Sequence, residues 1–197
     1  QLHELFADED LWFFTMDLID GVSFGEWVRP ASILDESRLR SALPQLLSAV
    51  LAIHEAGKLH RDLKPSNVLV TSAGHVVVLD FGLATDPEPG GVGQTIAEDS
   101  LSGTPAYMAP EQAAGQQSSA ASDLYAIGVM LFEALCGRLP FEGNSGEVLA
   151  AKQRDDAPRA SRLQSSVPAD LDTLCAKLLE RDATERITGK TLAAQLA

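Results

Sequence analysis

An α+β fold with a mostly helical bulk is what the sequence predicts, on three observations. Aromatic and β-branched runs open the chain at 2–6 and 11–19. A second pair of such runs, "VLVT" and "HVVVLD", stands mid-chain with only "SAG" between them. Before and after that pair, apolar residues recur every three or four positions instead of alternating.

The elements follow in order. "LHELF" and "LWFFTMDLI" read as two strands joined by the acidic turn "ADED". Gly21 ends that pattern, and "SFGEWV" suits a short helix stopped by Pro30. Leu39, Leu43, Leu46, Leu47, Val50, Leu51 and His54 then mark a strong helix, with Gly57 suited to its C-terminal cap. Pro44 has no N–H to give, which places the start of the regular part near Leu43. The mid-chain runs form a hairpin. Residues 83–104 lose periodicity and are rich in Gly, Pro, Ser, Thr and acid. So long a structureless stretch in a compact domain is functional or disordered as a rule. Helices resume at 121–136, 145–154, 169–180 and 188–196, the first apolar nearly all round and so a buried central helix.

Composition narrows the function classes. A length of 197 residues suits one domain, or slightly less than one large one, and 45% hydrophobic residues supply a core. The net charge of −13, from 15 Lys+Arg against 28 Asp+Glu, argues against nucleic acid or an anionic membrane as the main partner. Cys136 and Cys175 sit in apolar helical patterns without a CxxC neighbour or clustered His, and read as reduced core thiols of a cytoplasmic protein. No apolar stretch approaches the ~20 residues that span a membrane. The opening "QLHELF", with no initiator Met, reads as a cut edge and not as a signal peptide.

The chemistry concentrates in "HRDLKPSN", His60 to Asn67. Asp62 and Asp80 flank the hairpin, whose ends are close, so both carboxylates can face one pocket. Asn67 and Asp80 offer hard oxygen ligands suited to Mg²⁺ shared with substrate phosphates. Lys64 lies two residues from Asp62, on the same side of an extended segment. A cation there neutralises charge on a transferring phosphoryl group, while Asp62 accepts a proton from, or orients, an incoming hydroxyl. The bland alternatives are a polar turn before a hairpin and, for Asp80, a helix or turn cap.

"HRDLKPSN", "DFG" at Asp80–Gly82 and "APE" at Ala109–Glu111 occur in this order, and together they resemble the eukaryotic-type protein kinase family. Within it, "DLKP" and "GTPAYMAPEQ" are similar to the serine/threonine kinases of the bacterial kind. The resemblance implies a kinase-like fold, with 1–19 the end of the N-terminal lobe and the hinge, and 20–197 the C-terminal lobe. The activation segment is then 80–111, and the N-terminal lobe is largely missing. It implies roles for Asp62 as catalytic aspartate, Asn67 as second metal ligand and Asp80 as principal metal ligand. Lys64 contacts the γ-phosphate, and Thr104 bonds Asp62 and Lys64. In the hinge, Met16 is the gatekeeper, the Asp17 carbonyl and Ile19 amide pair with adenine, Asp20 reaches the ribose and Leu69 floors the pocket. His60, Phe81 and Leu2 join the lobes, Asp123 fixes the catalytic-loop backbone, and Glu111 and Arg186 form a buried ion pair. Tyr125 stands where Trp is commoner.

The resemblance also implies that Arg61 receives a phosphorylated loop residue, with Thr95, Ser100 and Ser102 ahead of Thr85 as candidates. "GGVG" at Gly90–Gly93 does not fit G-x-G-x-x-G and reads as a flexible tip, and His3, His54 and His75 as ordinary residues. The implied reaction is transfer of the γ-phosphate of ATP, with Mg²⁺, to Ser/Thr hydroxyls of protein substrates. Phosphate cradling needs a Gly-rich loop, a strand lysine and a helix glutamate. The five lysines, Lys58, Lys64, Lys152, Lys177 and Lys190, all follow the strand at 11–19. The expectation is therefore that these 197 residues alone are inactive. The alternatives are a non-catalytic kinase-like scaffold module and a small-molecule phosphotransferase of related fold. The complete set Asp62, Lys64, Asn67 and Asp80 favours the kinase over the first, and "GTPAYMAPE" favours it over the second.

Overall fold

The computed structural model describes residues 2–8, 11–16, 18–79 and 104–196, with side chains over 18–79 and 105–194. The opening runs pair as β1 (Leu2–Asp8) and β2 (Leu11–Met16), antiparallel, with Phe6 opposite Phe13. The second strand stops at Met16, and Leu18–Asp20 have no regular structure. Gly21, expected to end the strand pattern, instead opens β3 (Gly21–Ser23), which pairs with a later strand. Three residues are too few to show an alternating pattern. Glycine suits the spot because a Cβ there would stand 2.7 Å from the Val70 carbonyl oxygen. Ser23 then caps α1 (Phe24–Val28): the Glu26 N–H donates to Ser23 Oγ (3.3 Å), and the Ser23 N–H donates to Glu26 Oε2 (3.0 Å).

The long helix α2 spans Glu36–Glu55, starting well before Leu43, with Pro44 in its interior. Proline there costs about 3 kcal/mol. Against it stand six buried residues on one face, Leu39, Ala42, Leu43, Leu46, Leu47 and Val50. Each large aliphatic among them contributes about 1.5–3 kcal/mol. Asp35 adds a cap, accepting from the Arg38 N–H at 3.1 Å. Burial outweighs the missing bond, so the helix runs through the proline. Gly57 follows in the left-handed region (φ 71°) and donates to His54 O.

The hairpin forms as expected, from β4 (Val68–Thr71) and β5 (Val76–Val78), and with β3 it makes a sheet of order β3-β4-β5. Gln45 of α2 clips its turn, accepting from the Val76 N–H (3.1 Å) and donating to Gly74 O (2.9 Å). After 104 the described chain is helical: α3 (Thr104–Tyr107), α4 (Pro110–Ala113), α5 (Ala120–Cys136), α6 (Ser145–Arg154), α7 (Ala160–Leu163), α8 (Ala169–Leu178) and α9 (Gly189–Leu196). The four-residue helices α3, α4 and α7 show no periodicity to read. Helix α5 is the expected central helix, buried without a break from Ser122 through Phe132. Cys136 and Cys175 are free, and burial raises the pKa of both thiols. Among the described residues, no helix is long and apolar enough to cross a membrane.

Candidate active site

The segment between α2 and β4 has no ladder of its own until the 3₁₀ turn Pro65–Asn67. It is held instead by a buried carboxylate. Asp123 of α5, 2% exposed, accepts from the His60 N–H (2.9 Å) and the Arg61 N–H (2.8 Å). His54 Nε2 lies 2.8 Å from the same carboxylate. Arg61 sits at φ 71°, a left-handed conformation that costs a non-glycine residue about 1–2 kcal/mol. The charge-assisted bonds at His60 and Arg61 contribute about 1.5–3 kcal/mol each and offset that strain. Two further bonds join the segment to the far end of the hairpin. The Leu79 N–H donates to Asn67 O (2.8 Å), and His60 Nε2 lies 2.9 Å from Leu79 O.

Within this frame three of the predicted residues converge. Asp62 Oδ2 accepts from Lys64 Nζ at 2.7 Å and from Asn67 Nδ2 at 2.9 Å. Asn67 Nδ2 also reaches the Asp62 carbonyl oxygen at 2.8 Å. Asn67 is buried, whereas the Asp62 side chain is 43% exposed and that of Lys64 27%. A pair this open contributes about 0–1 kcal/mol to stability. Stability therefore does not explain why three polar groups are held in one geometry. Among the described residues nothing bonds Asp62 Oδ1, which leaves a carboxylate oxygen able to accept a proton beside an ammonium group.

Two recesses adjoin the cluster. A cavity of about 20 Å³ is lined by Asp62, Leu63, Tyr107, Met108 and Ala126, among others. A groove of about 730 Å³ is lined by Lys64, Ser66, Tyr107, Glu26 and Glu133, among others. Tyr107 borders both, and its hydroxyl donates to Glu133 Oε2 at 2.7 Å. Burial, with Glu133 beside it, raises the pKa of that phenol.

The remaining predicted residues are placed as follows. Leu69 lies on β4 opposite Ser23 and Val77, half-buried. Ile19 and Asp20 lead directly into β3, the strand beside it. Met16 ends β2 and Thr104 opens α3, but their side chains, and that of Leu2, lie outside those described. Asp17, Asp80, Phe81, Thr85, Gly90–Gly93, Thr95, Ser100 and Ser102 lie outside the described residues. Among the described residues no group of three or more His, Cys, Asp or Glu side chains is placed to hold a metal.

His54, read as an ordinary residue, meets Asp123 across 69 positions of sequence. No local pattern signals a contact between a helix end and a residue so distant. Lys152 and the Tyr107–Glu133 bond were missed for the same reason.

The protein kinase domain family model matches residues 1–196. The chain is 32% identical over 186 residues to the serine/threonine-protein kinase PrkC of Bacillus subtilis, covering 94% of this chain and 28% of that protein. It is 33% identical over 196 residues to PkaA of Streptomyces coelicolor, covering 98% and 35%. It is 34% identical over 175 residues to PknL of Mycobacterium tuberculosis, covering 88% and 43%. The chain thus spans less than half the length of each of these relatives. With the domain model matched almost end to end and the Asp62–Lys64–Asn67 cluster assembled, the chain belongs to the protein kinase family and is similar to its bacterial serine/threonine members.

Proposed function

We propose that the protein carrying this chain is a serine/threonine kinase that moves the γ-phosphoryl group of MgATP to Ser or Thr hydroxyls of protein substrates. The observation that carries the reading is the Asp62 carboxylate, fixed through Oδ2 by Lys64 and Asn67 and, among the described residues, unbonded at Oδ1. Asp62 is the base or orienting group for the incoming hydroxyl. Lys64, held at 2.7 Å from Asp62, is the cation for the transferring phosphoryl group. Asn67 spends its amide nitrogen on Asp62 and so presents its amide oxygen as a hard ligand. That donor fits magnesium as the second ligand, and Asp80 is the proposed principal ligand, one residue beyond Leu79, whose backbone already meets Asn67 and His60. When bound, magnesium would draw charge from the nucleotide phosphates.

The proposed nucleotide contacts are Met16, the Asp17 carbonyl, the Ile19 amide, Asp20 and Leu69, and Thr104 is proposed to steady Asp62 and Lys64. In this reading 1–19 is the end of the N-terminal lobe and the hinge, 20–197 the C-terminal lobe, and 80–111 the activation segment. A net charge of −13 supports a protein acceptor over nucleic acid.

Asp62→Asn in the full-length protein tests this directly. Phosphate transfer to a Ser/Thr peptide is expected to fall by about a hundred- to ten-thousandfold. Nucleotide affinity, measured by calorimetry, stays close to wild type. A variant that keeps its transfer rate overturns the assignment. The 197 residues contain no Gly-rich strand pair with a lysine ahead of residues 11–19, so alone they are expected to transfer little phosphate. Robust transfer by them, abolished by Asp62→Asn, would contradict that requirement.

A further inference from the structure

Lys152 of α6 is 1% exposed, and no carboxylate is among its bonding partners in the described residues. Its Nζ donates to three backbone carbonyls, Pro105 O at 3.0 Å, Ala106 O at 2.5 Å and Met108 O at 2.7 Å. An ammonium group has three hydrogens for these three acceptors, and a neutral amine has two. The Tyr125 ring centroid lies 5.3 Å from the nitrogen and adds a cation–π contact. If filling space were the only need, an apolar side chain would serve without the cost of burying a charge. What distinguishes Lys152 is the backbone it gathers. All three acceptors lie within four consecutive residues, and two residues of that run, Tyr107 and Met108, line the cavity that holds Asp62. Tyr107 also borders the groove that holds Lys64.

We propose that Lys152 is a positioning residue for the acceptor polypeptide: its ammonium clamps Pro105–Met108 against α6 and so fixes the wall that an acceptor chain meets beside Asp62. This rests on the kinase reading. The clamp carries its own release. Burial pushes the Lys152 pKa down, to about 7, while the three carbonyls favour the charged form. The charged and titratable groups on the packed elements are already engaged. On α3, Tyr107 is bonded to Glu133 of α5, and on α4, Glu111 is bound by Arg186. On α5, the Tyr125 ring also carries the Arg186 guanidinium at 4.9 Å. On α6 itself, Glu147 caps its own N-terminus and Arg154 pairs with Asp155. Loss of the proton leaves one of the three carbonyls without a donor.

The test uses Lys152→Met, which keeps length and removes charge, in the full-length protein. The KM for an acceptor peptide is expected to rise about tenfold, while the KM for ATP and kcat at saturating peptide stay within about twofold. Amide exchange at 105–108 quickens, and exchange in α8 does not change. Unchanged exchange at 105–108 overturns the clamp. Quickened exchange with an unchanged peptide KM overturns its role in positioning. If the wild type transfers no phosphate, the kinase reading fails and exchange alone decides the clamp. If the variant does not fold, the wild type is followed from roughly pH 6 to 10. A reversible step in exchange at 105–108, beyond the intrinsic rate change, supports the clamp, and its absence overturns it.

Discussion

Asp123 shows how one residue shapes the chemistry of another that it does not touch. Its two carboxylate oxygens take the His60 and Arg61 N–H groups, and this holds Arg61 left-handed just before Asp62. Asp123→Asn keeps the size but turns one acceptor into an NH₂ donor that faces a backbone donor. A bond is lost, a buried N–H is left unsatisfied, and the strain at Arg61 is no longer offset. The expected loss is about 2–4 kcal/mol, read from the urea midpoint. Exchange at His60 and Arg61 should quicken more than in α8. A variant with wild-type midpoint and exchange would show that the loop holds its shape without this carboxylate. At this scale, legibility depended on distance along the chain. Asp62, Lys64 and Asn67 lie within six positions, and ordinary chain geometry lets them meet. His54 and Lys152 act on partners 69 and about 45 positions away, where only tertiary packing makes the contact.

Helices were legible where one face is apolar over several turns, as in α2 and α8, or where apolar residues run all round, as in α5. At Pro44 the sequence signals a break, but the bond it removes is outweighed by the buried face of α2. The strand β3 was missed because its pairing partner lies some fifty residues on, and a glycine in sequence reads as a break. Glycine has a different meaning at Gly128, in the middle of α5. A Cβ there would stand 2.8 Å from Leu178 Cβ and 3.1 Å from the Leu178 carbonyl carbon. The residue sets how closely α5 and α8 approach. Gly128→Ala gains up to about 1 kcal/mol of helix propensity. The two helices are then forced apart, at about 1–3 kcal/mol in a packed core. The clash involves backbone and so cannot be relieved by a rotamer change alone. The net effect is destabilising, visible as a lower urea midpoint. A raised midpoint would mean that α8 moves at little cost.

Across the whole molecule, the chain after α8 is tied back to the start of the helical region by one buried guanidinium. Arg186 donates from Nη1 to Glu111 Oε1 (2.8 Å) and from Nη2 to Glu111 Oε2 (3.0 Å). It also donates to Ala121 O, Glu180 O and Arg181 O. Three stretches of chain, at Glu111, Ala121 and Glu180–Arg181, therefore meet at one side chain that is fully buried. Burial pushes the Glu111 pKa up, but the Arg186 bonds and charge, with the Ser122 hydroxyl, bring it below its ordinary 4.5. A lowered folded value means that Glu111 adds stability above pH 4.5 and loses it as the pH falls through the folded pKa. Arg186→Met removes the cation and leaves the carboxylate buried, at a cost of about 3–5 kcal/mol near neutrality. In the variant burial acts unopposed by the guanidinium, so the folded pKa of Glu111 rises above its unfolded value. Glu111 then costs stability as the pH climbs through that raised value. The wild-type and variant curves must therefore diverge with rising pH. Urea midpoints at about pH 4 and pH 7 should show the larger gap at pH 7. A gap that stays constant, or closes, would mean that Arg186 acts through its three backbone carbonyls and not through Glu111.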